Sequence, residues 1–206
     1  GGKIIVYMGS GAYLPSSYID LTLYGEVAGD RFGESVAVSD VNGDGYADVV
    51  IGAPNNDDGS TDAGKVALFA GTADGMSSLA SHGQYGESSS NNLGQRLYAL
   101  GDINGDGIAD LAVGANNANI GGRSYAGATY IKFGPIGAEV DLPGGADIVI
   151  TGAEDRFESG TSLVIADVDA DGSPDLLVGS QRGSATNSKP NAGVSNVLLG
   201  PLGPGR

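Results

Sequence analysis

Along this chain, apolar runs of four to six residues alternate with polar, glycine-rich stretches in a recurring order. Ser35-Val36-Ala37-Val38, a polar nonapeptide, and Val49-Val50-Ile51-Gly52 form one set. Arg96–Leu100 and Leu111-Ala112-Val113-Gly114 flank a second nonapeptide, and Ser162–Ile165 and Leu176-Leu177-Val178-Gly179 flank a third. Runs this short, closed by Gly, predict buried strands, and no 12-residue stretch carries a helical stripe. Each nonapeptide therefore joins two strands as a hairpin. Downstream, Lys65–Phe69, Ala128–Phe133 and Val194–Leu199 predict a third strand, and Gln84-Tyr85 and Ile148–Ile150 a fourth. Lys3–Met8 and Ile19–Tyr24 predict a strand pair ahead of the first hairpin. The nonapeptides begin 62 and then 65 residues apart. A fixed period with four strands per unit predicts an all-β fold of antiparallel sheets, the signature of propeller blades or a similar array. The chain reads as a single region over 1–206: a half blade (1–26), two blades (31–88 and 93–152) and a partial blade (157–200).

The nonapeptides carry the chemistry. The first runs Asp40-Val41-Asn42-Gly43-Asp44-Gly45-Tyr46-Ala47-Asp48, with oxygen-bearing side chains at positions 1, 3, 5 and 9 and Gly at position 6. Calcium takes about 6–8 oxygen ligands, and a short loop aims every second side chain inward. Gly45 permits the sharp turn that brings the Tyr46 carbonyl round as a further oxygen. The second copy places Asp102, Asn104, Asp106 and Asp110 at the same positions, and the third Asp167, Asp169, Asp171 and Asp175. One copy would read as an ordinary Asp/Asn/Gly turn, whereas three filled copies predict three calcium sites. An EF-hand would continue into a helix with Glu at position 12. Here that position is Ile51, Val113 or Val178, which excludes it.

Composition sharpens this picture. The 206 residues include 37 Gly, far above the ordinary share of about 7%, placed where many short strands need turns. Net charge is −15 from 25 acids and 10 bases, and 10 of the acids sit in the three nonapeptides. Bound calcium would relieve repulsion where it is densest. Without basic clusters, nucleic-acid binding is not expected. Absent cysteine excludes disulfides and zinc–thiolate sites. Neither a signal peptide nor a membrane-length apolar run is visible. Weak calcium loops fill where calcium is about millimolar. The expected location is therefore extracellular or at the cell surface, with this chain as a mature or excised piece.

Phe32-Gly33, the loop Asp40–Asp48 and Gly52-Ala53-Pro54, in that order, resemble the FG-GAP repeat of integrin α-subunit β-propellers. The resemblance covers nearly the whole chain. It implies four-stranded blades around an axis, with calcium in the hairpin between first and second strands. It also implies carbonyl ligation by Tyr46, Ile108 and Ser173 alongside the side chains named above. The second repeat departs at Leu93-Gly94, at one extra residue before its loop and at Asn116. The third departs at Ser159-Gly160 and Gly179-Ser180-Gln181. These changes put packing near the axis in question and leave the metal loops intact.

Propellers have about four to eight blades, and this chain encodes about three. Open strand edges are an aggregation hazard, so the expectation is a larger chain or a second copy that completes the ring. No catalytic machinery is expected. Gly59–Lys65 matches most of a phosphate-binding loop, but Val66 stands where its hydroxyl belongs and a strand follows. His82, the only histidine, reads as a solvated loop residue. The ligand face of a propeller would be built from Asn55–Ala63, Asn116–Ala126 and Gln181–Gly193, whose Arg123, Tyr125, Arg182 and Lys189 suit an acidic protein partner. Two functions fit: a calcium-stabilised module for extracellular adhesion or protein binding, and a non-catalytic accessory domain holding substrate for a larger secreted enzyme. A thrombospondin-like calcium spacer does not fit so many apolar strands.

Overall fold

In a computed structural model, residues 2–7, 21–78, 80, 82–137, 142–184 and 191–203 are described. They contain strands and turns and no helix. β1 (Lys3–Val6) pairs with β2 (Leu21–Tyr24). Blade 1 is the antiparallel sheet of β3 (Ser35–Ser39), β4 (Asp48–Ala53), β5 (Lys65–Phe69) and β8 (His82–Tyr85). A small hairpin of β6 (Gly71–Thr72) and β7 (Gly75–Met76) lies between its last two strands. Blade 2 is β9 (Arg96–Gly101), β10 (Asp110–Ala115), β11 (Ala128–Lys132) and β12 (Ile148–Thr151). Blade 3 has three strands, β13 (Ser159–Ala166), β14 (Asp175–Ser180) and β15 (Val194–Leu198). Met8, Ile19 and Asp20, expected in the first pair, lie outside the described residues, and Tyr7 lies beyond β1.

The second strand of each blade shows why the sheets stack. Every residue of β4 and of β10 is buried, which requires cover on both faces. Successive side chains point to opposite faces. Val50 packs with Val66, Leu68, Leu97 and Leu111 in the seam between blades 1 and 2. Val49 and Ile51 pack the other way, with Leu23 and Phe69 against the first strand pair. Ala112 and Ile131 meet Leu163, Leu176 and Val178 in the seam between blades 2 and 3.

Glycines fix the closest approaches. A Cβ on Gly64 would stand 2.3 Å from the Leu93 carbonyl oxygen, and one on Gly127 2.7 Å from that of Ser159. Gly2 stands in the same relation to Phe32 at 1.8 Å. The Gly25 N–H donates to the Gly2 carbonyl as Gly86 does to Gly64 and Gly152 to Gly127. β1 and β2 therefore take the places of third and fourth strands. Leu93 and Ser159, which stand in place of Phe32, leave the turn at the following glycine unchanged: Gly33, Gly94 and Gly160 all have φ between 83° and 90°. The extra residue of the second repeat is Leu100, accommodated as a β-bulge where Leu111 pairs with Ala99 and Asp110 with Gly101.

Candidate metal centres

Each nonapeptide folds by spending its own backbone N–H groups on its carboxylates. In loop 1, Asp40 Oδ1 accepts from Gly43 N (2.8 Å) and Asp44 N (3.1 Å), and Oδ2 from Gly45 N (2.8 Å). Asn42 Oδ1 accepts from Asp44 N, and Asp44 Oδ1 from Tyr46 N (2.9 Å). Loop 2 repeats the set with Asp102 under Gly105, Asp106 and Gly107, Asn104 under Asp106, and Asp106 under Ile108. Loop 3 keeps Asp167 under Asp171 and Gly172, Asp169 under Asp171, and Asp171 under Ser173. Gly45, Gly107 and Gly172 share φ of 90°, the left-handed turn a side chain would strain.

The ninth-position aspartates anchor the loops. Asp48, Asp110 and Asp175 are each fully buried. One oxygen of each accepts from position 2 of its own loop: Val41, Ile103 or Val168. The other accepts from Gly71 N, Gly134 N or Gly200 N, each just past the third strand of its blade. A Cβ at those glycines would collide with the Ala47, Ala109 or Pro174 carbonyl, at 2.3, 2.8 and 2.2 Å. The sequence reading missed this anchor, whose signal is a Gly recurring two residues after Phe69 and directly after Phe133 and Leu199.

The donor chemistry suits a hard cation. Asp167, Asp169 and Asp175 bring one carboxylate oxygen each within 4.8 Å of one another. Asp171 stands outside that group. In loops 1 and 2, Asn replaces the third-position Asp. The Asn42 amide nitrogen gathers Asp44 (3.0 Å) and Asp48 (3.4 Å), and Asn104 holds Asp106 (2.9 Å). Burial pushes the Asp48 and Asp110 carboxyls above the usual carboxylate range, against the pull of the Gly71 and Gly134 N–H groups. Asp175 goes the other way: the N–H groups of Gly200 and Val168 outweigh desolvation and hold its carboxyl below the usual range. Tyr46, Ile108 and Ser173 hold the seventh positions, where the resemblance assigns their carbonyls as ligands.

The FG-GAP repeat family model matches residues 32–69, 99–131 and 159–196, more than half of the chain. This chain belongs to the FG-GAP repeat family. Among its relatives, integrin alpha-PS2 of Drosophila melanogaster is 36% identical over 166 residues, 75% of this chain and 12% of that protein. Integrin alpha-IIb of Mus musculus is 35% identical over 181 residues, 84% of this chain and 17% of that protein. The phosphatidylinositol-glycan-specific phospholipase D of Bos taurus is 34% identical over 158 residues, 73% of this chain and 18% of that protein. The chain thus spans less than a fifth of the length of these relatives. The FG-GAP assignment fits the unclosed all-β sheets, which are partial propeller blades.

The remaining candidate residues fall into place around these FG-GAP units. Lys65, from the phosphate-loop lookalike, is committed to Glu26 (2.8 Å) and Asp58 (3.2 Å) and lies over the Tyr85 ring. Burial alone would lower its pKa, but those two carboxylates hold it above the usual lysine range. His82 is not in a loop, as expected from its Gly/Ser neighbours; its backbone pairs with Leu68 at the start of β8. Arg182 is paired with Glu158 at 3.0 Å. Arg123 and the exposed Tyr125 sit on the loop between β10 and β11, and Lys189 lies outside the described residues.

Proposed function

We propose that this chain is a calcium-stabilised FG-GAP propeller module for extracellular adhesion or protein binding, with calcium in a structural role. The observation that carries the reading is the common ring of N–H-to-carboxylate bonds in all three loops, each tied by a buried aspartate to the end of the third strand of its blade. Asp40, Asn42, Asp44, Asp48 and the Tyr46 carbonyl would hold the first ion. Asp102, Asn104, Asp106, Asp110 and the Ile108 carbonyl would hold the second, and Asp167, Asp169, Asp171, Asp175 and the Ser173 carbonyl the third. A bound ion neutralises acidic side chains that otherwise repel, so its binding free energy becomes folding free energy. The region over 1–206 acts as one unit. Its open face on blade 3 is covered by further blades of a longer chain or by a second copy.

Thermal unfolding in excess calcium and in EGTA, with light scattering for mass, tests this. At about 100 times Kd each site adds roughly 2.7 kcal/mol, so a rise of many degrees is expected in calcium. Equal melting temperatures in the two conditions sink the calcium reading. A monodisperse, compact monomer would argue against covering by a second copy. The accessory-domain reading is favoured by the similarity to the phospholipase D relatives. It predicts that a longer form of this protein carries a separate catalytic region, which sequencing of the encoding locus decides.

A further inference from the structure

Ile108 holds the seventh position of loop 2, yet its side chain also reaches loop 1. A Cβ on Gly134, in its own blade, would come 2.4 Å from Ile108 Cγ2. A Cβ on Gly43, in loop 1, would lie 3.2 Å from Ile108 Cδ1 and 3.6 Å from both Cγ1 and Cγ2. Ile108 is thus wedged between the end of its own third strand and the fourth position of the neighbouring loop. Gly43 stands between Asn42 and Asp44, and its N–H donates to Asp40 Oδ1 at 2.8 Å, so a shift there moves three oxygen-bearing side chains of loop 1. A second strut from blade 2 joins it, as Ile136 N donates to the Val41 carbonyl at 2.6 Å. The next pair of loops has the backbone strut only. Leu202 N donates to the Ile103 carbonyl at 3.1 Å, but Ser173 replaces Ile108 and nothing lies within 4 Å of a Cβ on Gly105.

We propose that Ile108 is a positioning residue that couples loops 1 and 2, so that each binds calcium more tightly when the other is filled, while loop 3 fills independently. The proposal rests on the calcium reading above. With loop 2 ordered, Ile108 is a fixed wall for Gly43, and less conformational freedom is left for loop 1 to lose on binding. The coupling is reciprocal, and couplings of this kind change affinity by about 5- to 150-fold.

Tyr46 is the only aromatic residue within the three nonapeptides, so tyrosine-sensitised luminescence of terbium, standing in for calcium, reads loop 1 selectively. Asp106→Ala, which disables loop 2, is expected to weaken terbium binding at loop 1 about 5-fold or more. Ile108→Ser is expected to weaken it similarly, Asp106→Ala to add nothing in that background, and Ile108→Val to retain the coupling. Asp171→Ala, which disables loop 3, is expected to leave loop 1 unchanged. Calorimetric calcium stoichiometry on Ile108→Ser is expected to stay at three, which separates lost coupling from lost folding. An undiminished loop 1 affinity in Asp106→Ala overturns the proposal, as does an Asp106→Ala effect that persists in the Ile108→Ser background. Absence of calcium uptake in the unaltered chain overturns the calcium reading itself.

Discussion

Blade 1 and blade 3 are built from the same pattern, but among the described residues blade 1 is covered on both faces and blade 3 on one. In blade 1, Ala37, Val50 and Leu68 stand side by side across three strands and are 7%, 1% and 8% exposed against blade 2. Val164, Leu177 and Val197 hold the same places in blade 3, and there Val164 and Val197 are 57% and 49% exposed. The difference lies in the neighbour, since the register is the same. It teaches that an FG-GAP blade encodes two docking faces, and that its second face stays apolar whether or not a described blade covers it.

The comparison is most sharply tested at Gly52 and Gly179, which occupy equivalent positions. A Cβ on Gly52 would stand 2.0 Å from the Gly94 carbonyl of blade 2 and 2.4 Å from Ser35 Oγ, which itself donates to Gly94 at 2.6 Å. The three atoms nearest a Cβ on Gly179 all belong to Ser162, the closest its Oγ at 2.2 Å, the end of a side chain that can rotate about χ1. Gly52→Ala is expected to cost about 3 kcal/mol, and Gly179→Ala under about 1 kcal/mol. Denaturant unfolding in calcium reads both. Equal losses would show that blade 3 has a covering partner in solution.

The second handle is large-to-small replacement on the same face. Val50→Ala is expected to cost about 2 kcal/mol, whereas Leu177→Ala, which removes the larger side chain, costs under about 1 kcal/mol because less of it is buried. If Leu177→Ala proves the more damaging, the exposed face of blade 3 is a seam and the comparison fails.

A weaker handle is pH, where the two regions differ in sign. The folded pKa values of Asp48 and Asp110 are raised by burial, so folding favours their protonated forms. In EGTA they subtract stability as pH rises from the ordinary carboxylate value near 4 through their raised values. Asp175 is lowered, so its contribution is present above that ordinary value and is lost as pH falls through its folded pKa. Melting temperature in EGTA is expected to rise on mild acidification, less so in Asp48→Asn and Asp110→Asn. Calcium is expected to reverse the trend, because protons would then compete with the metal. A pH profile in EGTA that Asp48→Asn and Asp110→Asn leave unchanged would remove the assigned cause.

Much of this architecture was legible in the residues themselves. Short apolar runs on either side of each loop, those after it ended by Gly, located β3, β4, β9 and β10, and the oxygen spacing located the loops, because both are local patterns. Contacts between residues far apart in sequence were not legible. The anchors at Gly71, Gly134 and Gly200 work by lacking a Cβ, and such glycines look like any turn glycine until the opposing carbonyl is in place. Arg182 read as a free cation for the same reason: Glu158, its partner, is brought beside it only by the pairing of β13 with β14. The reach of Ile108 to Gly43 is likewise invisible, since Tyr46, Ile108 and Ser173 look interchangeable as carbonyl donors.

The smallest expected effect separates the loops themselves. At position 4, loops 1 and 2 carry Gly43 and Gly105 with φ of 77° and 85°, while loop 3 carries Ala170 at 62°. The left-handed region costs an L-residue roughly 1–2 kcal/mol, and glycine gives part of that back through the freedom it adds to the unfolded chain. Ala170→Gly is therefore expected to stabilise by up to about 1 kcal/mol, roughly 2–4 °C in a chain of this size. The reverse change, Gly43→Ala, adds the same strain and presses on Ile108, so it is expected to cost more than Ala170→Gly gains. Calorimetric scans of both variants in calcium decide it. A lower melting temperature for Ala170→Gly would mean that the alanine stiffens loop 3 usefully in the unfolded ensemble, and that loop 3 differs from its neighbours by design of its backbone as well as by its fourth carboxylate.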